Sequence, residues 1–398
     1  MQYFVGIEGV GMRQSVAAIC NESGEILSAI RLPEAISLHT IRHSLLRERI
    51  IRLLKALCEN LPASAAFHHP LECLKNARLC IGLTGVTFES DAIELSREVE
   101  ALNLFNTEPV CTGDTEIIFA SHAQGFRGSV QPCTEGGVIT CTMGSRAYIA
   151  CSDHPIWIGG WGPAIGDEGS GYWMGREALR AVAQEHDQGV GTSDLWDEIV
   201  NWLNAPTISL PEWEEGSLLW KLRSAEVMEH ELPNRTTLFQ FAHELQLQSV
   251  SMWRAIASGL TIPLMKAYRK NNPAAVRIVR RAVVHLANQF KSAFERHHKL
   301  CPDHSSLIAN GPIVLYGGVL SNHTQFREIL INQLRKRFKN EFVTVSTPGT
   351  MRPVCGALLY ALSPSSTGKL CLPDTQVIER LTESQKKWLH PGGGLANE

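Results

Sequence analysis

A long internal repeat constrains the fold of this chain more than any other feature of its sequence. Residues 3 to 30 read as three short strands joined by two tight turns, and the segment from Gly136, GGVITCTMGSRAYIACSDHPIWIGG, gives the same pattern again. With a shift of about 131 positions, Met12 falls on Met143 and Cys20 falls on Cys151. A repeated unit of this size predicts two similarly built halves with a ligand between them.

The segments that follow each repeat add helices to the strands. Residues 41–60 carry apolar side chains at helical spacing, and ARLCIGLTG and TEPVCTGD read as buried strands that end at polar corners. Strands that alternate with helices predict an α/β layer. The 398 residues also exceed what one hydrophobic core usually serves, which favours two lobes. Helical patterns dominate from Gly175 onward, whereas residues 189–245 support no assignment.

Composition narrows the range of partners. The formal net charge of -3 and a pI of about 6.6 give no basic footprint for nucleic acid. No apolar run reaches the roughly 18 residues of a membrane span, so a membrane partner is not expected. The 11 cysteines show no CxxC pair, no metal-ligand spacing and no signal peptide before them. We therefore expect reduced thiols in a cytoplasmic protein, with a homodimer left open as the assembly.

Glycine turns follow strands at three places, in GIEGVGM (6–12), TMGS (142–145) and YGGVLSN (316–322). Glycine lets the backbone approach a ligand closely and leaves N–H groups that suit phosphate oxygens. A hairpin also needs glycine for its turn, so each turn alone has a structural explanation. No GxxxxGK[ST] occurs, and the first turn runs into a strand rather than a helix. If phosphate binds here, hairpin turns hold it.

Two carboxylates stand at strand ends. Asp114 lies where a strand stops at Gly113 and a helix begins, so it is either an N-cap or a general base fixed beside an incoming hydroxyl. Glu8 ends an apolar strand, where an unpaired buried carboxylate is costly. A magnesium ion or a bound water network would account for it.

The stretch GGWGPAIGDEGSGYW, residues 159–173, combines six glycines with Trp161 and the adjacent carboxylates of Asp167 and Glu168. One interpretation is a sharp bend plugged by the tryptophan, with the carboxylates capping a helix that starts near Ser170. The other is a ligand loop, because a carboxylate can accept hydrogen bonds from two neighbouring sugar hydroxyls. We favour the ligand loop.

Together these motifs resemble the BadF/BadG/BcrA/BcrD ATPase family, and within it the N-acetylglucosamine kinase branch. GGWGPAIGDEGSGYWMGREALRAV is similar to its long signature, GIEGVGMR to its first phosphate motif and TGDTEIIFASHA to the segment with its catalytic aspartate. TMGSRAY resembles its second phosphate turn, LYGGVLSN its adenosine motif and RPVCGALLYAL its closing helix. The motifs stand in family order from residue 4 to about residue 362.

The resemblance implies an α/β fold of two duplicated actin-like, ribonuclease H-like ATPase domains around a central cleft, as in sugar kinases, Hsp70 and actin. The N-terminal domain would span residues 1–113 together with the closing helix 351–362. The larger C-terminal domain would span residues 114–350 and carry a helical insertion, and residues 363–398 would form a tail.

The resemblance also implies roles for the matched positions. Asp114 would deprotonate the attacking sugar hydroxyl, and Glu8 and Asp114 would hold hydrated Mg²⁺. The positions expected to bind ATP are Gly9, Gly11, Arg13, Thr142, Gly144, Ser145, Gly317 and Gly318. The positions expected to bind the sugar are Ser37, His39, Gly160, Trp161, Asp167 and Glu168.

Two departures from the family pattern lie in the phosphate turns. Met12 and Met143 stand where the family places threonine, at positions related by the repeat. A thioether cannot donate a hydrogen bond to phosphate, and losing one charge-assisted contact costs on the order of 1.5 to 3 kcal/mol. On the sugar side, Ser37 replaces an asparagine that the family often carries, which bears on recognition of an N-acetyl group.

Two functions follow. The first is an ATP-dependent amino-sugar kinase that phosphorylates a hydroxyl, expected to be the 6-hydroxyl, of N-acetylglucosamine or glucosamine. The second is a catalytically weakened sensor or regulatory protein that binds a sugar or a nucleotide, motivated by Met12 and Met143. A third, activase-like function needs cysteine ligands for a cluster, and the cysteine spacing provides none.

Overall fold

The computed structural model describes most of the chain. The described residues are 2–10, 14–38, 41–62, 70–123, 133–151, 154–189, 194–203, 243, 250–302, 311–338, 343–345, 351–363 and 370–389. Gly11, Met12, Arg13 and His39, and nearly all of the segment 204–249, lie outside them.

The first sheet has five strands in the order β3-β2-β1-β4-β5. These are β1 Tyr3–Gly9, β2 Ser15–Asn21, β3 Ile26–Leu32, β4 Arg78–Leu83 and β5 Val110–Gly113. β1 to β3 pair antiparallel, as the predicted meander requires, whereas β4 pairs parallel with both β1 and β5. Every residue of β1 is buried, because helices cover both faces of the sheet at this central strand.

The second sheet repeats this arrangement. Its strands are β6 Gly136–Cys141, β7 Ser145–Ala150, β8 Ile156–Gly159, β9 Ile313–Tyr316 and β10 Val343–Val345, in the order β10-β9-β6-β7-β8. β6 occupies the place of β1, with an antiparallel meander on one side and parallel strands on the other. The duplicated α/β fold expected from the repeat is therefore confirmed.

Helices cover both sheets. In chain order they are α1 His43–Glu59, α2 Glu89–Glu100, α3 Asp114–His122, α4 Gly171–Asp187, α5 Asp194–Leu203, α6 Val250–Gly259, α7 Thr261–Arg269, α8 Pro273–Leu300, α9 Gly318–Asn322, α10 Thr324–Phe338, α11 Pro353–Leu362 and α12 Thr375–Leu389, with a 3₁₀ helix over Pro70–Leu74. α8 begins at Pro273, a residue that suits the first helical position, and the Asn272 side chain caps it by accepting from the Ala275 N–H at 3.0 Å. Among the described helices, none combines the length and apolar character needed to cross a bilayer.

The helix α3 lies between the two sheets. Ile117 and Ala120 pack into the core of the first sheet, whereas Ile118 and Phe119 pack against Val138 of the second. A helix held on two sides is a rigid support for its own first residue, Asp114. Because α3 contacts both sheets, the domain boundary between residues 113 and 114 stays a prediction.

Two C-terminal helices complete the first half. α11, the expected closing helix, packs on α3 and β1, where a Cβ at Gly6 would lie 2.7 Å from the Val354 carbonyl oxygen. α12 falls within the segment expected to be a peripheral tail, yet Leu381 is fully buried. The Gln385 side chain also accepts a hydrogen bond from the Arg352 N–H at 2.9 Å. This part of the tail is thus packed onto the fold.

Candidate active site

A cavity of about 330 Å³ lies between the two sheets. Its lining from the first half includes Val10, Ser37, Thr84, Gly85, Thr87 and Asp114. Facing these, the second half contributes the turn Thr142–Ser145, Arg146, the loop residues Gly160, Trp161, Gly162 and Asp167, and Arg254. Both repeats and the loop 159–173 thus meet at one place, as the sequence predicted.

Asp114 is the first residue of α3, directly after β5. Gly113 occupies the N-cap position of this helix, so Asp114 is not the N-cap. Its Oδ2 accepts a hydrogen bond from the Thr84 hydroxyl at 2.8 Å, and its side chain keeps 17% of its exposure toward the cavity. The N-terminus of a helix favours a negative charge at this position. One carboxylate oxygen is therefore held, and the other, Oδ1, remains available to a ligand.

Arg146 reaches Asp114 from the second sheet. Its Nη1 lies 4.0 Å from Asp114 Oδ1, and its Nη2 donates to the Thr87 hydroxyl at 2.8 Å. No sequence motif pointed to Arg146 as a site residue. Its signal was a charged side chain directly after the TMGS turn, but only the fold shows that the side chain crosses the cleft.

Asp167 is buried and firmly held. Its side chain is 3% exposed, and its Oδ2 forms an ion pair with Arg254 Nη2 at 3.0 Å. Burial raises the pKa of this carboxyl, and the charge of Arg254 opposes the shift. The backbone φ of 61° is a left-handed conformation that aspartate tolerates better than most residues. The loop therefore holds the Asp167 carboxylate in place by an ion pair and by an unusual backbone conformation.

A glycine explains how Asp167 fits beneath the phosphate-type turn. A Cβ at Gly144 would lie 2.9 Å from Asp167 Oδ1 and 3.4 Å from Arg254 Nη2. The turn also closes on itself, with the Thr142 N–H donating to the Gly144 carbonyl at 2.9 Å. Met143 lines the cavity from the tip of this turn.

The hydroxyls of two further predicted site residues, Ser145 and Ser37, donate hydrogen bonds to backbone carbonyls of the protein. The Ser145 hydroxyl donates to the Glu168 carbonyl at 2.8 Å, so Glu168 contributes a backbone contact here, and its side chain is not among the described lining residues. The Ser37 hydroxyl donates to the Thr84 carbonyl at 3.0 Å at the cavity wall. Trp161, by contrast, lines the cavity and is 66% exposed, which leaves its ring available to a ligand.

The geometry of the predicted adenosine turn requires glycine at position 317. Gly317 has a φ of 121° and caps the short helix α9, which begins at Gly318. A Cβ at Gly317 would collide with the Cys141 carbonyl oxygen, so the third turn can approach the second only without a side chain. Gly9 is similarly crowded, because a Cβ there would lie 2.5 Å from the Ile36 carbonyl oxygen.

The Glu8 carboxylate forms its hydrogen bond with a backbone group outside the described cavity lining. Its side-chain Oε2 accepts a hydrogen bond from the Val354 N–H at 2.9 Å, at the N-terminus of α11. Burial raises its pKa to about 7, against the opposing effects of that hydrogen bond and of Arg352. It is 7% exposed and is not among the described lining residues.

The donor set fits a hydrated magnesium ion better than an enclosed metal site. The described residues contain no cluster of three metal-ligating side chains. Magnesium bound with a nucleotide usually keeps waters and takes only one or two carboxylates together with phosphate oxygens. Asp114 meets that requirement because it lines the cavity with one oxygen that Thr84 does not engage. Glu8, by contrast, has one oxygen engaged by Val354 and a carboxyl that burial tends to protonate.

Comparison with known proteins gives a consistent result. Residues 74–361 match the BadF/BadG/BcrA/BcrD ATPase family. An N-acetyl-D-glucosamine kinase from Dictyostelium discoideum is 26% identical over 47% of this chain and 56% of its own length. An N-acetylmuramic acid/N-acetylglucosamine kinase from Clostridium acetobutylicum is 25% identical over 51% of this chain and 60% of its own length. The chain thus aligns with little more than half of each curated relative.

Solved structures match over more of the chain. A protein from Chromobacterium violaceum, provisionally assigned as an N-acetylglucosamine kinase, covers 91% of this chain with 99% of its own at a TM-score of 0.55 and 17% identity. A provisionally assigned N-acetylglucosamine kinase from Porphyromonas gingivalis gives the same coverage at a TM-score of 0.50 and 14% identity. At these identities the matches establish the fold, which is the duplicated actin-like ATPase fold expected from the motifs.

Proposed function

The chain belongs to the BadF/BadG/BcrA/BcrD ATPase family, and from this premise we propose that it is an ATP-dependent amino-sugar kinase. It would transfer the γ-phosphate of ATP to a hydroxyl, expected to be the 6-hydroxyl, of N-acetylglucosamine, glucosamine or a close relative. One observation carries the proposal. Asp114 stands at the start of a rigid helix and lines a cavity between two sheets, with one oxygen held by Thr84 and the other 4.0 Å from Arg146.

The chemistry assigned to Asp114 is that of a general base. The sugar hydroxyl would donate to Asp114 Oδ1 and lose its proton to it as the oxygen attacks phosphorus. Thr84 keeps the carboxylate from rotating, because its hydroxyl holds Oδ2 at 2.8 Å. Phosphoryl transfer depends mainly on such positioning and on neutralising charge.

The loop 159–173 is proposed to hold the acceptor. Asp167 would accept a hydrogen bond from a sugar hydroxyl through Oδ1, which Arg254 does not engage and which also accepts from the Ser145 N–H at 3.4 Å. Trp161 would offer a ring face to the sugar. Gly160 contributes backbone to the same wall. Closure of the two halves around the acceptor would exclude water as a competing nucleophile.

The two glycine turns of the second half are proposed to hold ATP. Gly144 and its neighbours would face the phosphates. Gly317, which approaches Cys141 closely, would shape the entry for adenosine. Mg²⁺, when bound, neutralises phosphate charge, and Asp114 would hold it through water. Glu8 stays a second candidate ligand, on the condition that it ionises despite its raised pKa.

A second candidate function is supported by Met143. Its thioether faces the cavity at the place where a phosphate-binding hydroxyl would be expected, which favours a weakened enzyme that binds sugar or nucleotide as a sensor.

A panel of amino sugars tests both functions. We expect ADP release with ATP and Mg²⁺ that depends on one amino sugar, and a product heavier by one phosphoryl group. Binding by calorimetry without turnover, together with restored turnover in the Met12→Thr, Met143→Thr double variant, would favour the sensor.

A further inference from the structure

The cavity contains two arginine–aspartate pairs of different closeness. Arg254 contacts Asp167 directly at 3.0 Å, so each charge neutralises the other. Arg146 lies 4.0 Å from Asp114, beyond hydrogen-bond distance, and its Nη2 donates instead to the neutral hydroxyl of Thr87. The guanidinium of Arg146 therefore keeps N–H donors for an incoming anion, while its charge also opposes the rise in pKa that burial causes at the nearby carboxyls of Glu116 and Asp167.

The surroundings of Arg146 keep its guanidinium at the reacting centre. It is 12% exposed and lines the cavity beside Asp114. A Cβ at Gly160 would lie 2.5 Å from Arg146 Nε, so the glycine leaves room for the guanidinium. The bond to Thr87 fixes its far end across the cleft. Arg146 is thus a cation held at the place where the proposed base meets its hydroxyl.

Arg146 also stands beside the departure in the phosphate turn. It follows Met143 by three positions, and both side chains line the same cavity. The methionine offers no hydrogen bond to a phosphate oxygen, whereas a guanidinium offers a planar set of N–H donors that match phosphate geometry. Arg146 could therefore supply the hydrogen bond to phosphate that Met143 cannot donate.

We propose that Arg146 is a catalytic residue that donates to the γ-phosphoryl group during transfer, in place of the turn hydroxyl that Met143 cannot supply. The proposal rests on the proposed kinase function. As the sugar oxygen bonds to phosphorus, the bond from phosphorus to the leaving ADP oxygen breaks and the hydroxyl proton passes to Asp114. Arg146 stays protonated and stabilises charge on the phosphoryl oxygens, as cis arginines do in other phosphoryl transfers.

Nucleotide binding tests the contact without requiring turnover. Calorimetry compares ADP with a non-hydrolysable ATP analogue, each with Mg²⁺, for the unsubstituted chain and for Arg146→Gln. We expect the Kd of the analogue to rise about tenfold or more, because one charge-assisted contact is lost, and the Kd of ADP to change less than about twofold. An equal effect on both nucleotides, or none, overturns the proposal.

Two control variants separate this role from structural effects. Arg281→Gln removes an arginine that is 55% exposed and pairs with Glu177 outside the described cavity lining, and it should leave both affinities unchanged. Thr87→Val removes the cross-cleft hydrogen bond but keeps the guanidinium. If Thr87→Val weakens the analogue as much as Arg146→Gln does, Arg146 acts as a tether between the halves and the proposal is wrong.

Turnover with the sugar that the protein accepts as substrate tests whether Arg146 compensates for Met143. Arg146→Gln should lower kcat about 100-fold while the KM of the sugar changes little. Met143→Thr should raise kcat more in the Arg146→Gln background than in the unsubstituted chain, and additive effects would contradict the compensation. A raised sugar KM with unchanged kcat would instead assign Arg146 to the sugar. If no sugar is phosphorylated at all, the kinase function fails while the calorimetric comparison still decides the nucleotide contact.

Discussion

The two cavity aspartates are held in opposite ways. Asp114 has one oxygen bonded to a neutral hydroxyl and a side chain that is 17% exposed, with its nearest cation at 4.0 Å. Asp167 is 3% exposed, paired with Arg254 at 3.0 Å and placed on a left-handed backbone residue. A general base must gain and lose a proton, whereas a hydroxyl acceptor must only stay in place. The difference is consistent with the proposal that the first carboxylate serves the chemistry and the second serves binding.

The largest effect should follow from changing the proposed base. Asp114→Asn keeps the shape and the hydrogen bond from Thr84 but removes basicity, so sugar-dependent ADP release should fall about 10³- to 10⁴-fold in kcat. Asp374→Asn, at an exposed aspartate before α12, is the matched control and should leave kcat unchanged. Turnover retained in Asp114→Asn would show that another group takes the proton.

Breaking the buried pair should affect stability instead. Arg254→Met leaves Asp167 buried without its cation, and the free energy of unfolding in urea should fall by about 3 to 5 kcal/mol. Arg281→Met removes one arginine from the more exposed cluster at Glu177 and should cost less than about 1 kcal/mol. The double variant Asp167→Asn, Arg254→Met should recover part of the loss. If Arg254→Met is as mild as its control, the pair does not hold the loop.

A third carboxylate, that of Glu8, should make the free energy of unfolding depend on pH. The pKa of Glu8 is raised from 4.5 to about 7 in the fold, so its contribution to stability is present below pH 4.5 and is lost as the pH rises through 7. Glu8→Gln can still accept the Val354 hydrogen bond and should remove this loss, which amounts to about 3 kcal/mol by pH 8. Urea unfolding from pH 4.5 to 8 measures it, and parallel curves for both chains would contradict the assigned pKa.

The same variant addresses the metal role of Glu8. If Glu8 holds hydrated Mg²⁺, Glu8→Gln should raise the Mg²⁺ concentration needed for half-maximal turnover. An unchanged magnesium requirement would leave Glu8 as a residue that fastens the N-terminus of α11.

The smallest effect concerns the residue that orients the base. Thr84→Val removes the hydroxyl that holds Asp114 Oδ2 but keeps the volume of the side chain. We expect kcat to fall about tenfold, in line with the loss of one hydrogen bond to a charged group. Thr107→Val, at a threonine that donates to the Ala77 carbonyl away from the described cavity lining, is the control. An unchanged kcat would mean that α3 alone fixes Asp114.

The sequence predicted the parts of the site that lie on local patterns. The repeated meander, the start of α3 after Gly113 and the helix capped by Ser170 all follow from short-range turn and capping signals. Asp114 and Asp167 were recognisable because each stands at such a signal. Their roles as base and sugar ligand stay predictions.

The residues that the sequence did not reveal depend on distant contacts. Arg254 lies 87 positions from Asp167, in a helix beyond the segment that supported no assignment. Thr84 meets Asp114 only because β4 and β5 are neighbours, and Arg146 meets it only because the two sheets face each other. Glu8 was expected at a magnesium ion, but its partner Val354 lies 346 positions away and no local pattern indicates it.

Sugar affinity tests the division between the two aspartates most directly. Calorimetry with the sugar that the protein phosphorylates, in the presence of ADP and Mg²⁺, would compare the unsubstituted chain with Asp114→Asn and Asp167→Asn. The Kd of Asp114→Asn should stay within about threefold, and that of Asp167→Asn should rise about tenfold or more, because the latter loses a charged hydroxyl acceptor. The reverse order would contradict the assignment of Asp114 to chemistry and Asp167 to binding.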